Sequence, residues 1–170
     1  MRTLILGGVR SGKSRLAERL ALESELPVTY IATAHAGDAE MAARIAGHVA
    51  RRPADWRTVE APYALAAAIR AEAEPGRCVL VDCLTLWLSN WLCGDADFSS
   101  EREALVEAVQ SAPGTVILVA NETGLGIVPM GELSRRFGDE AGVLHQRLAS
   151  VCERVVFTVA GLPMVLRGSL

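Results

Sequence analysis

The feature that most constrains this chain is a glycine-rich stretch close to its beginning. Residues 7–14 read GGVRSGKS and match the pattern G-x-x-x-x-G-K-[S/T]. An apolar run precedes the stretch, and an amphipathic segment with Leu16 and Leu20 on one side follows it. The order of strand, glycine-rich turn and helix is typical of a phosphate-binding loop, whose backbone N–H groups surround a polyphosphate. An ordinary glycine-rich turn between a strand and a helix is the simpler alternative.

Two side chains of this stretch have expected roles in binding a nucleotide. Lys13 would reach the β- and γ-phosphates, and the Ser14 hydroxyl would bind Mg²⁺. Lys13 is the only lysine among 17 basic residues, so a chain that otherwise uses arginine has kept an ammonium group here.

The composition excludes several classes of protein. A length of 170 residues favours one domain, and a formal net charge of −3 argues against broad binding of nucleic acid. No run approaches the roughly 18 apolar residues of a membrane span, and we expect no signal peptide ahead of the first strand. The four cysteines (Cys78, Cys83, Cys93, Cys152) lack zinc or C-x-x-C spacing. We therefore expect reduced thiols and a cytoplasmic location.

Short apolar runs alternate with helical patterns along the chain. Strands are predicted at 2–6, 28–32, 78–81, 115–120 and 155–159, and helices at 14–23, 38–51, 63–74, 84–92, 100–111 and 139–152. Nearly continuous Val, Ile and Leu runs indicate strands that are buried on both faces. The pattern predicts a single α/β domain of the P-loop NTPase type (RecA-like), with a doubly wound, mainly parallel sheet flanked by helices. Residues 124–138 are predicted to form a long functional loop.

Ligands of such sheets bind beyond the carboxyl ends of the strands, where this chain carries two carboxylates. Asp82 closes an apolar run and is expected to help hold Mg²⁺, or else to cap the helix that follows. Glu122 also follows a buried strand. It could orient a nucleophile or substrate, or serve as a cap or ion pair.

A phosphate-binding loop is compatible with a kinase, an NTPase or a GTPase. The guanine-reading motif N-K-x-D is absent because Lys13 is the only lysine, which argues against a switch-type GTPase. In the helix predicted at 38–51, the side chains of Arg44, His48 and Arg52 share one stripe. Positive neighbours favour neutral imidazole, which could attack an α-phosphate. On spacing alone, a surface histidine is the simpler interpretation of His48.

Several motifs together resemble one known family. They are GGVRSGKSR (7–15), YIATA (30–34), D-x-E-M-x-x-R-I-x-x-H (38–48), R-P-x-x-W-R-T-x-E (52–60) and N-E-T-G-x-G-I-V-P (121–129). In this order they resemble the bifunctional adenosylcobinamide kinase / adenosylcobinamide-phosphate guanylyltransferase family of cobalamin biosynthesis. The resemblance extends over residues 2–161.

The resemblance implies that the protein phosphorylates adenosylcobinamide with ATP or GTP and Mg²⁺, and then transfers GMP from GTP to the new phosphate. It implies a covalent GMP–histidine intermediate at His48, with Lys13 as the second catalytic residue. Ser14 and Asp82 are the implied metal ligands. The positions implied to contact the nucleotide are Gly7, Gly8, Val9, Arg10, Ser11, Gly12, Lys13, Ser14, Thr33, Ala34, Val49, Ala50, Arg51, Arg52, Glu60 and Asp82.

The resemblance also implies a homotrimer with sites near the subunit interfaces. Trp87 and Trp91 would suit a subunit contact or a corrinoid-facing surface, or equally the core. Two other functions remain open at this stage: a small-molecule kinase without transferase activity, and a non-catalytic module that responds to nucleotide.

Overall fold

The computed structural model describes residues 1–34, 53–92 and 97–170, which form a seven-stranded sheet with helices on both faces. The strands are β1 (Arg2–Gly7), β2 (Val28–Ala32), β3 (Arg57–Glu60), β4 (Cys78–Asp82), β5 (Thr115–Asn121), β6 (Arg154–Val159) and β7 (Leu162–Arg167). The helices are α1 (Lys13–Glu23), α2 (Leu65–Glu72), α3 (Leu84–Leu92), α4 (Phe98–Ser111) and α5 (Glu132–Val151).

The described strands lie in the order β3-β2-β4-β5-β1-β6-β7. Neighbours are parallel except at the β6–β7 edge, which is antiparallel. The chain leaves β1 toward one side of the sheet and later returns to place β6 on the other side. The carboxyl end of β1 is therefore a topological switch point, where sheets of this kind bind ligands. The predicted doubly wound, mainly parallel α/β sheet is confirmed.

The two faces of the sheet are covered by different helices. Alternate side chains of a strand point to opposite faces, so Leu4 and Leu6 join one core cluster while Ile5 joins the other. Helices α2 to α5 supply the first cluster. In the second, Leu16, Ala17 and Ala21 of α1 pack on the sheet. The α1 side chains that make up this apolar stripe thus fix the helix directly behind the glycine-rich loop.

Two edge strands were missed by the sequence prediction. β3 reads RTVE and is mostly exposed, so it carries no apolar run. β7 lies at the opposite edge and is also mostly exposed. The exposure of β3 and β7 has the same physical cause: an edge strand has one neighbouring strand and need not bury both faces. The five predicted strands are confirmed: the bounds of β2 match, and each of the other four differs by one residue at one end.

The predicted bounds of one helix are wrong. Helix α5 begins at Glu132 rather than at residue 139, so the loop after β5 ends at residue 131. Phe137 packs against the core and extends the apolar period of Ala141, Leu144 and Leu148 toward the N-terminus. Four helices are confirmed, the one at 84–92 with its predicted bounds and the other three with shifted ends. The helix predicted at 38–51 lies outside the described residues.

The two tryptophans of α3 have different environments. Trp87 is completely buried; its Nε1 donates to the Tyr63 carbonyl oxygen at 2.8 Å, and its ring meets Phe98 edge-on. The core interpretation is therefore correct for Trp87. Trp91 is half-buried and contacts Tyr63 edge-on, with ring centroids 5.7 Å apart. In the part of the chain that the structure describes, no helix has both the length and the apolarity needed to cross a bilayer.

Candidate nucleotide-binding site

The glycine-rich loop (residues 7–14) connects the buried end of β1 to the first turn of α1. Its turn is closed by a hydrogen bond from Ser11 N to Gly8 O at 3.2 Å, and Leu16 N donates to Gly12 O at 3.0 Å. Gly12 has a φ of +97°, a conformation that glycine adopts without strain. Because free N–H groups gather at the start of a helix, the loop and α1 together offer an anion-binding cradle at the switch point.

The glycine-rich loop is packed tightly on both sides. On one side, Glu122 N at the exit of β5 donates to Gly7 O at 3.0 Å. On the other side, Gly161 N in the β6–β7 turn donates to Ser11 O at 2.8 Å, and a Cβ on Gly12 would lie 3.1 Å from the Gly161 Cα. The ends of β5 and β6 thus hold the loop between them.

We expect Gly7→Ala to lower the free energy of unfolding by about 1–3 kcal/mol, the usual cost of overpacking. The added Cβ would lie 2.5 Å from the Ser11 Oγ and 2.6 Å from the Thr158 carbonyl oxygen. Gly8→Ala is the matched control, because no heavy atom lies within 4 Å of its Cβ position. Urea unfolding without nucleotide measures both variants. Equal losses of stability in the two would contradict the close approach of β6 to Gly7.

Lys13 holds its ammonium inside the glycine-rich loop. Only 8% of the residue is exposed, and Nζ donates to Gly8 O at 3.1 Å. Burial lowers the pKa of Lys13, and the nearby Cys83 and Asp82 partly offset this lowering. In the parallel part of the sheet the carboxyl ends of β1 and β4 lie at the same edge, with the end of β5 between them.

Asp82 ends β4 and is half-buried, and a cis peptide bond joins it to Cys83. Among the described residues its carboxylate accepts no hydrogen bond, which argues against the helix-capping alternative. Ser14, also half-buried, is the second residue of α1, directly after Lys13. Hydroxyl and carboxylate oxygens are the donors that Mg²⁺ prefers. Within the described ranges no three His, Cys, Asp or Glu side chains converge on one metal site, so an ion held here would need phosphate or water ligands as well.

Thr33 joins the ends of β2 and β4, a contact that sequence reasoning did not predict. Its buried Oγ1 accepts from Cys83 N at 3.0 Å and donates to Cys83 O at 2.6 Å. The Thr33 carbonyl oxygen in turn accepts from the Asn90 side chain at 2.9 Å. The Thr33 hydroxyl therefore supports the segment that carries Asp82, and the half-buried Ala34 follows it. No local signal links residues 50 positions apart.

Glu122 forms a turn cap and a pair with a histidine. Its Oε1 accepts from Gly124 N at 2.6 Å, and its Oε2 lies 3.7 Å from the Nδ1 of His145. Burial lowers the pKa of His145, although Glu122 opposes this change. Of the alternatives for Glu122, the cap is present, whereas the lowered pKa of His145 favours an uncharged imidazole beside the carboxylate rather than an ion pair. His145 was not among the predicted site residues, because its burial depends on the packing of α5 and has no local sequence signal.

Some of the other residues predicted to contact the nucleotide do not lie beside the glycine-rich loop. Glu60 is exposed at the end of edge strand β3, four strand positions from β1 or about 19 Å across the sheet. Val9 and Arg10 are exposed at the tip of the glycine-rich loop. His48, together with Val49, Ala50, Arg51 and Arg52, lies outside the described residues.

Comparison with known proteins identifies the family to which this site belongs. A profile described as "Cobinamide kinase / cobinamide phosphate guanyltransferase" matches residues 3–166. The bifunctional adenosylcobalamin biosynthesis protein CobP of Pseudomonas aeruginosa is 69% identical over 170 residues, which cover 99% of this chain and 98% of that protein. The corresponding protein CobU of Escherichia coli K12 is 42% identical, with 95% and 97% covered.

More distant solved structures show the same fold. The flagellar accessory protein FlaH from Methanocaldococcus jannaschii has a TM-score of 0.54 at 11% identity, covering 98% of this chain and 77% of that chain. The RadB recombinase has a TM-score of 0.52 at 15% identity, with 92% and 73% covered. Both likenesses support the P-loop NTPase fold. With the near-complete match to the family profile, they lead to one conclusion: this chain belongs to the cobinamide kinase / cobinamide phosphate guanyltransferase family.

Proposed function

We propose that the protein phosphorylates the aminopropanol hydroxyl of adenosylcobinamide with ATP or GTP, and then transfers GMP from GTP to that phosphate to give adenosylcobinamide-GDP. The observation that carries the proposal is 69% identity over nearly the full length of a relative named as bifunctional in adenosylcobalamin biosynthesis. The buried Lys13 within a glycine-rich loop at the switch point supports the use of a nucleoside triphosphate.

In the kinase step, the residues of the loop act mainly by position and charge. The loop N–H groups and Lys13 hold the β- and γ-phosphates, and the acceptor hydroxyl attacks the γ-phosphorus in line as the bond to the β-phosphate oxygen breaks. Ser14 and Asp82 would hold Mg²⁺, which when bound neutralises charge on the phosphate oxygens. Lys13 stabilises the charge that develops on the leaving nucleoside diphosphate.

In the guanylyl transfer step, His48 is the proposed nucleophile. A ring nitrogen of neutral His48 attacks the α-phosphorus of GTP, and the bond to pyrophosphate breaks. The phosphate of adenosylcobinamide-phosphate then attacks the same phosphorus and releases the histidine. Lys13, with Arg51 or Arg52, would stabilise the departing pyrophosphate. The neighbouring Arg44 and Arg52 in the sequence favour the neutral imidazole that this chemistry needs.

Intact-mass measurement after incubation with GTP and Mg²⁺ tests this function against the two alternatives. We expect a gain of one GMP that is lost in mild acid, because a phosphoramidate is acid-labile. A kinase without transferase activity, or a non-catalytic nucleotide-binding module, would show no covalent adduct. Conversion of adenosylcobinamide to its phosphate with ATP separates these two alternatives from each other.

We also propose a homotrimer that works in the cytoplasm, where ATP and GTP are supplied. The resemblance supports the assembly, and an apolar surface on the exposed edge strand β7 is suited to a subunit contact; Leu162, Met164 and Leu166 lie on it. Sedimentation equilibrium measures the assembly directly, and a monomer at micromolar concentration would contradict it.

A further inference from the structure

The glycine-rich loop has two flanking connections, and they differ in what they present to a ligand. The β6–β7 turn consists of two residues, Ala160 and Gly161, so it presents few side chains to a ligand. The other connection leaves β5 at Glu122, one hydrogen bond from Gly7, and runs to the start of α5. We call residues 123–131 the β5–α5 loop.

The β5–α5 loop exposes an unusual number of apolar side chains. Ile127 is 97% exposed, Met130 96%, Leu125 80% and Val128 72%. Beside them lies an open cavity of about 600 Å³ between the loop and the first turns of α5. Side chains of Val128, Leu133, Arg135 and Phe137 are among those that line it. A concave, mainly apolar surface with a few polar groups is the usual form of a small-molecule site.

The β5–α5 loop is also held in a defined position. At its start, Glu122 accepts from Gly124 N at 2.6 Å. At its end, Arg135 Nη1 donates to the carbonyl oxygens of Pro129, at 3.2 Å, and Met130. Hydrogen bonds therefore fix the backbone of the β5–α5 loop at both ends. Exposure of its apolar side chains to water is unfavourable, and a ligand that covers them would remove this cost.

We propose that the β5–α5 loop and the first two turns of α5 bind the corrinoid ring of the phosphoryl acceptor, an inference that rests on the proposed function. In-line transfer requires the acceptor hydroxyl beside the γ-phosphate, so the ring at the other end of the aminopropanol tail must lie just outside the glycine-rich loop. Of the two connections that touch this loop, the β5–α5 loop is the one that lines the cavity of about 600 Å³. The methyl-bearing faces of the ring suit Ile127 and Val128, which line the cavity, and the exposed Met130 beside them; the amide rim suits polar residues of the lining such as Thr123.

Two single substitutions at exposed positions test the proposal: Ile127→Ser and Met130→Ser. Each is expected to raise the KM for adenosylcobinamide in the ATP-dependent kinase assay by about tenfold, since each removes an apolar contact with the ring. Labelling by α-³²P-GTP without corrinoid should stay at the wild-type level, because the nucleotide does not touch these side chains. Leu22→Ser is the matched control, because Leu22 is 54% exposed near the end of α1, away from the glycine-rich loop. The KM of this variant for adenosylcobinamide should equal that of the wild type.

The outcomes separate this inference from the proposed function. If the wild type phosphorylates adenosylcobinamide and both variants keep its KM, the inference is wrong and the function stands. If the variants change the sedimentation coefficient but not the KM, the loop is a contact between copies of the chain, and the inference is again wrong. If the wild type never turns over the corrinoid, the proposed function fails, and the inference fails with it.

Discussion

Replacing Lys13 with methionine is expected to lower kcat/KM of the kinase step by about a thousandfold or more, which corresponds to about 4 kcal/mol of lost transition-state stabilisation. The same variant should lose covalent labelling by GTP, because one ammonium is proposed to serve both leaving groups. Methionine is similar in length to lysine and fills a position that is only 8% exposed, so the loss should come from charge rather than from a cavity.

Arg19→Met provides a control on the same helix. Arg19 is exposed and pairs only loosely with Glu23, at 3.7 Å, so its loss should change neither activity by more than about twofold. Thermal unfolding of both variants checks that the fold is retained. Wild-type rates in the Lys13 variant would contradict the assignment of the glycine-rich loop as the nucleotide-binding site.

His48→Ala is expected to abolish acid-labile labelling by α-³²P-GTP and to reduce guanylyl transfer by about a thousandfold or more, the effect of removing a covalent nucleophile. Phosphorylation of adenosylcobinamide by ATP should continue, because that step needs no attack by histidine. A single substitution would thus separate the two activities and cause the phosphorylated intermediate to accumulate, which chromatography of the corrinoids detects.

His35→Ala is the matched control, since His35 is a second histidine in the same part of the sequence but has no place in the R-I-x-x-H motif. Its labelling by GTP should equal that of the wild type. Full labelling in the His48 variant, or loss of labelling in the His35 variant, would contradict the assignment of His48 as the nucleophile.

The interior of the sheet was predictable because its strands are buried on both faces. The runs at 78–81 and 115–120 contain almost only apolar residues, which a parallel central strand requires. Edge strands β3 and β7 carry no such requirement, and they were missed. The first two turns of α5, residues 132–138, were missed as well, because residues 132–136 are exposed and Leu133 is the one apolar residue among them.

The residues of the candidate site also fall into a group that the sequence predicts and a group that it does not. A continuous motif reveals residues 7–14, because the conformation of the loop dictates glycine locally. The contacts of Thr33 with Cys83 and of Glu122 with His145 join distant segments, and neither leaves a local pattern. Such pairs depend on strand order, because the order of the strands determines whose ends lie next to each other at the switch point.

The position of β1 between β5 and β6 has a consequence for the order in which the site can form. β1 and the glycine-rich loop lie far from β5, β6 and the Gly161 turn in the sequence, yet these later segments enclose them. The nucleotide pocket therefore cannot close until the chain from β5 through Gly161 has joined the sheet. Because nucleotide stabilises only the states that bind it, we expect it to stabilise the completed sheet and not folding intermediates that lack β5 or β6.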